Sequence, residues 1–282
     1  MLGEILAITA AVSWALSSIS LRRALQTSSP LTTAFASVAV NAIVLWPVAI
    51  MLTPFSRVGL EGIIPLLFAG LMAPSLARLL QFMAVDRLGV ALSTPLIETT
   101  PLFGAVFAVS ILHEEITIPI GIGITIVVLG VMILGSRESV KLTRTGVVLA
   151  LLSAVLFAGA DIGRKIGIIL VSSPFLGAAV GATVGIAAYF LFSIVTKTPI
   201  ASPKKWTRFD YLTGILTGVG MASVFSALFV EKVVVVQPLQ STTPLFALFF
   251  TWVFLRRLEN VTASTCLAAI LIVIGSILVA IG

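Results

Sequence analysis

This sequence has few of the residues from which water-soluble surfaces and most catalytic sites are built. Only 10% of its 282 residues are charged, against roughly 25% in an average soluble domain, which excludes a soluble globular protein. The single cysteine, Cys266, excludes an intrachain disulfide, and the single histidine, His113, excludes a zinc site of the H-E-x-x-H type. The sequence contains no P-loop and no G-x-S-x-G nucleophile motif. We therefore expect no enzyme, no cofactor and no bound metal.

Apolar residues make up most of the chain, which is 59% hydrophobic with a mean hydropathy of +1.20. A helix needs about 20 apolar residues to cross a bilayer, and continuous apolar runs recur throughout. These runs cover residues 3–21, 31–53, 62–83, 89–111, 117–135, 145–163, 174–196, 209–230, 233–255 and 261–281. Their continuity favours helices over membrane strands, in which apolar and polar residues alternate. We predict an all-α integral protein of the cell membrane, with ten transmembrane helices embedded in the lipid bilayer.

The sequence repeats itself at a separation of 143 residues. The segment P-L-I-E-T-T-P-L-F of residues 95–103 returns as P-L-Q-S-T-T-P-L-F at residues 238–246, and Trp14 falls over Phe157. We assign residues 1–135 to a first five-helix repeat, 136–145 to a linker and 146–282 to a second repeat. Because five is odd, the second repeat must enter the membrane from the opposite side. This predicts two inverted repeats, an arrangement that often encloses a binding site near the bilayer midplane.

The repeated elements resemble those of one group of membrane transporters. Each half has five predicted helices, an aromatic residue near the middle of the first, T-T-P-L-F in the fourth, and a Glu-x-hydrophobic-Thr turn before the fifth, beginning at Glu114 and Glu259. Over essentially the whole chain, this pattern resembles the EamA-type transporters of the drug/metabolite transporter superfamily. The resemblance implies ten helices that export or import small organic metabolites, such as amino acids, and we expect export.

Two arguments about membrane orientation disagree. The resemblance implies that both termini lie in the cytoplasm. The loops after the odd-numbered predicted helices, however, carry twelve Lys and Arg residues, whereas the other side carries four. The positive-inside rule would place the richer side in the cytoplasm and the termini outside, so both orientations stay open. Because these basic residues lie mostly between apolar runs, the net charge of +6 does not indicate nucleic-acid binding.

Arg78 and Glu98 are charged residues within predicted membrane helices, where each charge costs at least about 2.5–3.5 kcal/mol. Each lies about ten positions from the turn at Arg87, which predicts similar depths on adjacent helices, about 15 Å into the membrane. Their counterparts in the second repeat are Met221 and Ser241, so the shared scaffold does not require the charges. Either the two form a buried ion pair that locks two helices together, or they line a cavity. In a cavity, Arg78 would bind a carboxylate and Glu98 an ammonium group or a coupling proton.

Other polar and aromatic residues lie on helix faces that could line the same cavity. The candidate substrate-binding residues are Trp14, Ser17, Ser18, Arg78, Gln81, Glu98, Phe157, Gln237 and Gln240. Packing within the membrane is an equal alternative for the tryptophan, as is hydrogen bonding between helices for the glutamines. Asp161 shares a helix face with Phe157. Because Arg164 and Lys165 follow near the predicted helix end, a surface-proximal ion pair is favoured for Asp161.

The function predicted from these features is secondary active transport by alternating access, in which two halves rock around a central cavity. The sequence has no nucleotide-binding motif, so coupling would come from a gradient of an ion or of the substrate. Arg78 and Glu98 favour an amino-acid-like metabolite, and the expected state is a monomer. The alternatives are a cation-conducting membrane protein and a membrane binding or scaffold protein that undergoes no transport cycle.

Overall fold

The helices of this chain follow its apolar runs, and some of them are interrupted beside prolines, as at Pro74 and Pro101. A computed structural model describes residues 2–55, 58–112, 117–135, 143–230, 236 and 239–281. The α-helices are α1 Leu2–Ala24, α2 Pro30–Leu52, α3 Leu60–Gly70, α4 Ala77–Leu88, α5 Val90–Ile97, α6 Thr100–Leu112, α7 Ile118–Gly135, α8 Arg144–Val171, α9 Pro174–Thr196, α10 Arg208–Val230, α11 Thr243–Phe250 and α12 Ala263–Ile281. Two π-helical segments, Leu71–Leu76 and Thr251–Leu255, and a short 3₁₀-helix, Pro203–Lys205, complete the described elements.

Six helical spans are long and apolar enough to cross a membrane. They are Leu2–Ala24, Pro30–Leu52, Leu60–Leu88, Arg144–Val171, Pro174–Thr196 and Ala263–Ile281. Shorter apolar helices cover Ile118–Ile133 and Thr243–Leu255. The predicted all-α class is confirmed for the described residues, all of whose regular elements are helical.

The first helix of the second repeat is longer than the sequence predicts. The prediction ends this helix at residue 163, whereas α8 continues to Val171. It ends there because Ser172 adopts a left-handed conformation with φ of +50°. The predicted boundary was wrong because charged residues interrupt the apolar run without ending the helix. As a result, Asp161 and Arg164 lie well inside a membrane-spanning helix.

The T-T-P elements mark helix interruptions at which threonine side chains replace missing backbone donors. Pro101 has no N–H to donate to the carbonyl of Ile97, four residues earlier. The Thr100 hydroxyl donates to that carbonyl at 2.7 Å. In the second repeat, Thr243 likewise donates to the carbonyl of Gln240 at 2.6 Å, which the following proline cannot serve. Because the hydrocarbon offers no water as a partner, these bonds allow the helices to be interrupted there.

In the predicted fourth helix, Pro95 and Pro101 predict a kink because each lacks a backbone N–H, and the helix is interrupted there, since α5 ends at Ile97 and α6 begins at Thr100. The corresponding kink in the second repeat is predicted partly on Pro238, which lies outside the described residues. A further interruption, not predicted from the sequence, separates α3 from α4. We call the π-helical segment Leu71–Leu76 the α3–α4 break; within it, Ala73 has extended dihedrals of −147° and 114°.

Corresponding helices of the two repeats pack against each other in opposite directions. At the end of α2 and the start of α9, the hydroxyl oxygens of Thr53 and Ser173 lie 2.7 Å apart. In α7 and α12, Gly123 meets Gly275, with the backbones so close that a Cβ on either glycine would lie 2.7 Å from the carbonyl oxygen of the other. Small residues permit such close helix approaches in membranes.

The first and third helices of the repeats also pair across the two halves. The helix α1 packs against α10, and α8 packs against α3 and α4. The Ser17 hydroxyl lies 2.8 Å from that of Thr217, and Ser20 donates to the carbonyl of Phe209 at 3.0 Å. Each first helix therefore has the third helix of the other half as a neighbour. The cavity described below lies between these paired elements.

We predict that Thr100→Val and Thr243→Val each destabilise the protein, because each leaves a partly buried carbonyl without a donor. The expected loss in the free energy of unfolding is about 1–3 kcal/mol per substitution, measured by denaturation in detergent micelles. The control is Thr125→Val, because the Thr125 hydroxyl donates to the Gly121 carbonyl at 2.9 Å on an exposed, uninterrupted stretch of α7. Equal losses for all three variants would contradict the role assigned to the T-T-P threonines.

Candidate substrate cavity

A cavity of about 850 Å³ lies between the two repeats. Its wall includes eight of the nine predicted candidates, namely Trp14, Ser17, Ser18, Arg78, Gln81, Glu98, Phe157 and Gln240. The ninth candidate, Gln237, lies outside the described residues. The wall extends from Leu21, near the end of α1, to Ile169 and Pro174, beside the turn between α8 and α9. Both repeats therefore contribute to one elongated space.

Matching faces of α1 and α8 form two sides of this cavity. Their wall residues include Trp14, Ser18 and Leu21 on α1 and Phe157, Asp161 and Arg164 on α8. At the repeat spacing of 143, Trp14 corresponds to Phe157, Ser18 to Asp161, and Leu21 to Arg164. The two faces are thus alike in position and unlike in chemistry, because only the α8 face carries charges.

The guanidinium group of Arg78 has few protein partners. The residue is only 6% exposed, and its Nη1 lies 3.4 Å from the Ser37 hydroxyl oxygen, a long hydrogen bond. A guanidinium group has five N–H donors, and no other acceptor among the described residues takes one of them. Because Arg78 belongs to the cavity wall, these donors are available to an acceptor inside the cavity.

Glu98 lies at the interruption between α5 and α6. Its backbone carbonyl accepts a hydrogen bond from the Ser276 hydroxyl of α12 at 2.9 Å. Its carboxylate has no hydrogen-bond donor and no cation as a partner among the described residues, although it belongs to the wall. Arg78 and Glu98 are not within salt-bridge distance of each other. The alternative of a buried ion pair that locks two helices together is therefore wrong for this structure.

Several of the uncharged wall residues also contribute to helix packing. The Ser17 hydroxyl lies 3.2 Å from the carbonyl oxygen of Thr213 and Ser18 donates to that of Trp14. The Trp14 indole packs directly on Gly220 of α10, where a Cβ would lie 2.5 Å from the indole nitrogen. Ser17 and Trp14 therefore line the cavity and also pack α1 against α10.

The predicted ion pair of Asp161 is present, but it does not lie at a helix end. Arg164 Nη1 lies 3.0 Å from Asp161 Oδ1, and the Asp161 side chain is 53% exposed. Arg164 Nη2 also donates to the carbonyl of Ala73 in the α3–α4 break at 2.7 Å. The sequence indicated a pair near a helix end, because the apolar run stops at residue 163, whereas α8 continues to Val171. The described residues contain no cluster of three His, Cys, Asp or Glu side chains that could hold a metal ion.

An acidic residue of the second repeat bonds to the first repeat close to the cavity wall. Glu259 accepts hydrogen bonds from the backbone N–H groups of Val90 and Ala91, at 2.9 and 3.0 Å. These are the first two residues of α5, where the helix dipole favours a negative charge. Arg22 Nε lies 3.0 Å from Glu259 Oε1. We call Arg22, Glu259 and the start of α5 the clasp; it directly follows the wall residue Leu21.

The clasp requires a glycine at the turn between α4 and α5. Gly89 has a φ of +81°, and a Cβ there would lie 2.6 Å from the Glu259 carboxyl group. Arg22 Nη1 donates to the carbonyls of Val85 and Asp86 at the same turn, at 3.3 and 3.0 Å. The sequence marked Glu259 only as part of a repeated turn, since no local pattern indicates that it bonds to a helix in the other half.

Comparisons with known proteins agree with this architecture. The sequence matches the EamA-like transporter family over residues 1–136 and 144–281. A solved crystal structure superposes with a TM-score of 0.68, covering 98% of this chain and 95% of that chain at 16% sequence identity. An identity this low establishes a shared fold alone. A comparison with curated proteins gives no match. With both halves matched, this multi-pass membrane protein belongs to the EamA-like transporter family.

Proposed function

We propose that this protein is a secondary active transporter that exports small zwitterionic metabolites, such as amino acids, across the cell membrane. The observation that carries the proposal is a cavity between the halves with two opposite charges, Arg78 and Glu98, that are not paired with each other. A charged side chain inside the membrane is energetically costly, and such residues mark pathways or binding sites for substrates and ions. A bound zwitterion would satisfy both.

The cargo proposed here follows from the chemistry of the wall. A guanidinium group binds a carboxylate with two parallel hydrogen bonds, which Arg78 has the free donors to make. Glu98 would accept from the ammonium group or carry a coupling proton. The wall also contains Trp14, Phe82 and Phe225, whose rings favour an apolar side chain on the cargo.

We infer ten membrane spans arranged as two inverted repeats. The support is the packing of corresponding helices in opposite directions, as in α2 with α9. The exchanged pairs, α1 with α10 and α8 with α3 and α4, follow the same two-fold relation. Repeats of this kind can rock against each other about a central site.

The clasp supports alternating access, because it would keep one end of the cavity closed while the other end is open. Its two charged side chains belong to different repeats, so rocking of the halves would pull Glu259 away from Arg22 and from the start of α5. At the other end, the wall reaches the turn between α8 and α9. We propose that this conformation is open toward that turn.

Transport is tested by counterflow in proteoliposomes with a panel of amino acids, sugars and divalent cations. We expect counterflow of one or more amino acids, and a fall of at least about tenfold, or roughly 1.4 kcal/mol, in Glu98→Gln. Glu61→Gln, which removes an exposed acid outside the cavity wall, should leave transport unchanged. A cation flux without metabolite counterflow would support the cation-conducting alternative, and no flux at all the non-transporting one.

The double variant Arg78→Met, Glu98→Ser tests whether both charges serve transport or stability. It introduces the residues found at the counterpart positions Met221 and Ser241. Because the two charges form no ion pair, we expect the variant to fold with unchanged detergent stability and to lose amino-acid counterflow. A stable and fully active double variant would remove both residues from the mechanism.

The clasp is tested by labelling Leu21→Cys, in a Cys266→Ser background, with a membrane-impermeant thiol reagent from either side. We expect Glu259→Gln to speed labelling from the clasp end by about tenfold, equivalent to about 1.4 kcal/mol, because it removes the charge that pairs with Arg22. The matched control is Asp86→Asn, an exposed acid at the same end. Unchanged labelling in Glu259→Gln would show that the clasp does not hold this end closed.

A further inference from the structure

The α3–α4 break lies directly before Arg78, and a side chain of the second repeat bonds to it. In a regular helix the N–H of Ala77 would donate to the carbonyl of Ala73, but here it donates to that of Met72. The register is therefore shifted by one residue. Arg164 Nη2 donates to the Ala73 carbonyl at 2.7 Å, so a cavity residue from α8 supplies the bond that the shifted register does not.

Two further side chains satisfy carbonyls at the same break. Pro74 has no N–H for the carbonyl of Gly70, and the Ser75 hydroxyl donates to that carbonyl at 2.6 Å. The Tyr189 hydroxyl of α9 lies 2.6 Å from the Pro74 carbonyl oxygen and 2.8 Å from that of Ser75, and its single proton serves one of them. Tyr189 is only 2% exposed and does not belong to the cavity wall.

The duplication preserves none of these four residues at the counterpart position of the other repeat. The counterparts of Pro74, Arg78, Arg164 and Tyr189 are Thr217, Met221, Leu21 and Trp46. In the second repeat the corresponding helix, α10, runs without interruption from Arg208 to Val230. The scaffold therefore does not need the break. The break therefore occurs together with the cavity residue Arg78 and with the two side chains of the other repeat that bond to it, Arg164 and Tyr189.

We propose that Arg164 and Tyr189 are positioning residues for Arg78, which fix the α3–α4 break and so direct the Arg78 guanidinium group toward the carboxylate of the cargo. Arg78 is the second residue of α4, so the angle at which α4 leaves the break decides where its side chain points. The single long bond to Ser37 is too weak to fix that direction. This inference rests on the proposed function, in which Arg78 binds a carboxylate.

The hydrogen bonds from Arg164 and Tyr189 to the break connect the two repeats. The break belongs to the first repeat, whereas Arg164 and Tyr189 belong to the second. A movement of one half against the other would stretch these bonds and change the direction of Arg78. Carboxylate affinity would then differ between the two conformations, which is what a transporter requires in order to release its cargo.

The sharpest test is Tyr189→Phe, because it removes one hydroxyl group and keeps the buried ring. The two probes are L-phenylalanine and phenethylamine, which share a ring and an ammonium group and differ in the carboxylate. We expect the half-saturation concentration for L-phenylalanine counterflow to rise about tenfold, with its maximal rate unchanged. The inhibition of that counterflow by phenethylamine should stay the same. Equal losses for both probes would indicate general damage to the cavity and overturn the proposal.

The chain provides a matched control in its other tyrosine. The hydroxyl of Tyr211 also donates to a proline carbonyl, that of Pro203, at 3.2 Å, but at an exposed site. Tyr211→Phe should leave both probes unaffected. If Tyr189→Phe fails to fold, Arg164→Lys takes its place, since lysine keeps the charge and lacks the fork that reaches Asp161 and the Ala73 carbonyl together. It should show the same selective loss.

A second measurement does not depend on the cargo. Phenylglyoxal modifies accessible arginine side chains, and mass spectrometry can follow Arg78 and the exposed Arg87 in the same sample. We expect Tyr189→Phe to slow the modification of Arg78 severalfold and to leave that of Arg87 unchanged. If wild-type protein transports neither probe, the proposed cargo is wrong, while this rate still decides whether Tyr189 positions Arg78. An unchanged Arg78 rate would overturn the positioning role.

Discussion

The structure depends on one constraint: inside the hydrocarbon, every backbone carbonyl and N–H group must find a partner within the protein. Regular helices meet this constraint by themselves, so the helix interruptions are the places where side chains must contribute. Thr100, Thr243 and Ser276 do so at the repeated interruptions. Arg164 and Tyr189 do so at the break that only the first repeat contains. All these interruptions lie beside the cavity, which is where a transporter can use irregular backbone.

Some residues therefore recur at the same position of both repeats, and others do not. Residues that satisfy the backbone at the T-T-P elements recur in both halves, because both halves have the same prolines. Residues whose charge faces the cavity do not recur, and Arg78, Glu98, Asp161 and Arg164 all have uncharged counterparts. The two halves share the prolines of the T-T-P elements and differ in the charged residues of the cavity wall. The proposed site is therefore built from the residues in which the halves differ, rather than from those they share.

Much of this could be predicted from sequence, because composition and a repeat of constant spacing are strong signals. The membrane class followed from the apolar composition and the family from the repeated elements, and eight of the nine candidate residues lie in the cavity wall. The end of α8 did not, because Asp161 and Arg164 resemble a polar boundary until their partners are known. The clasp and the break at Ala73 were also missed. The contacts that hold them join residues far apart in the sequence, such as Arg164 and Ala73. Pro74 alone does not predict the break, since Pro47 and Pro65 lie within uninterrupted helices.

The crossing of α7 and α12 has a mechanical consequence. At Gly123 and Gly275 the two backbones touch without an intervening side chain, so no rotamer change can widen or narrow the gap. Separating the helices there would leave a void, whereas turning one about the other would not. The crossing would therefore act as a fulcrum, at which a small angular change becomes a larger displacement at the distant helix ends. In the proposed transport cycle, glycine at these two positions would define the point around which the halves move.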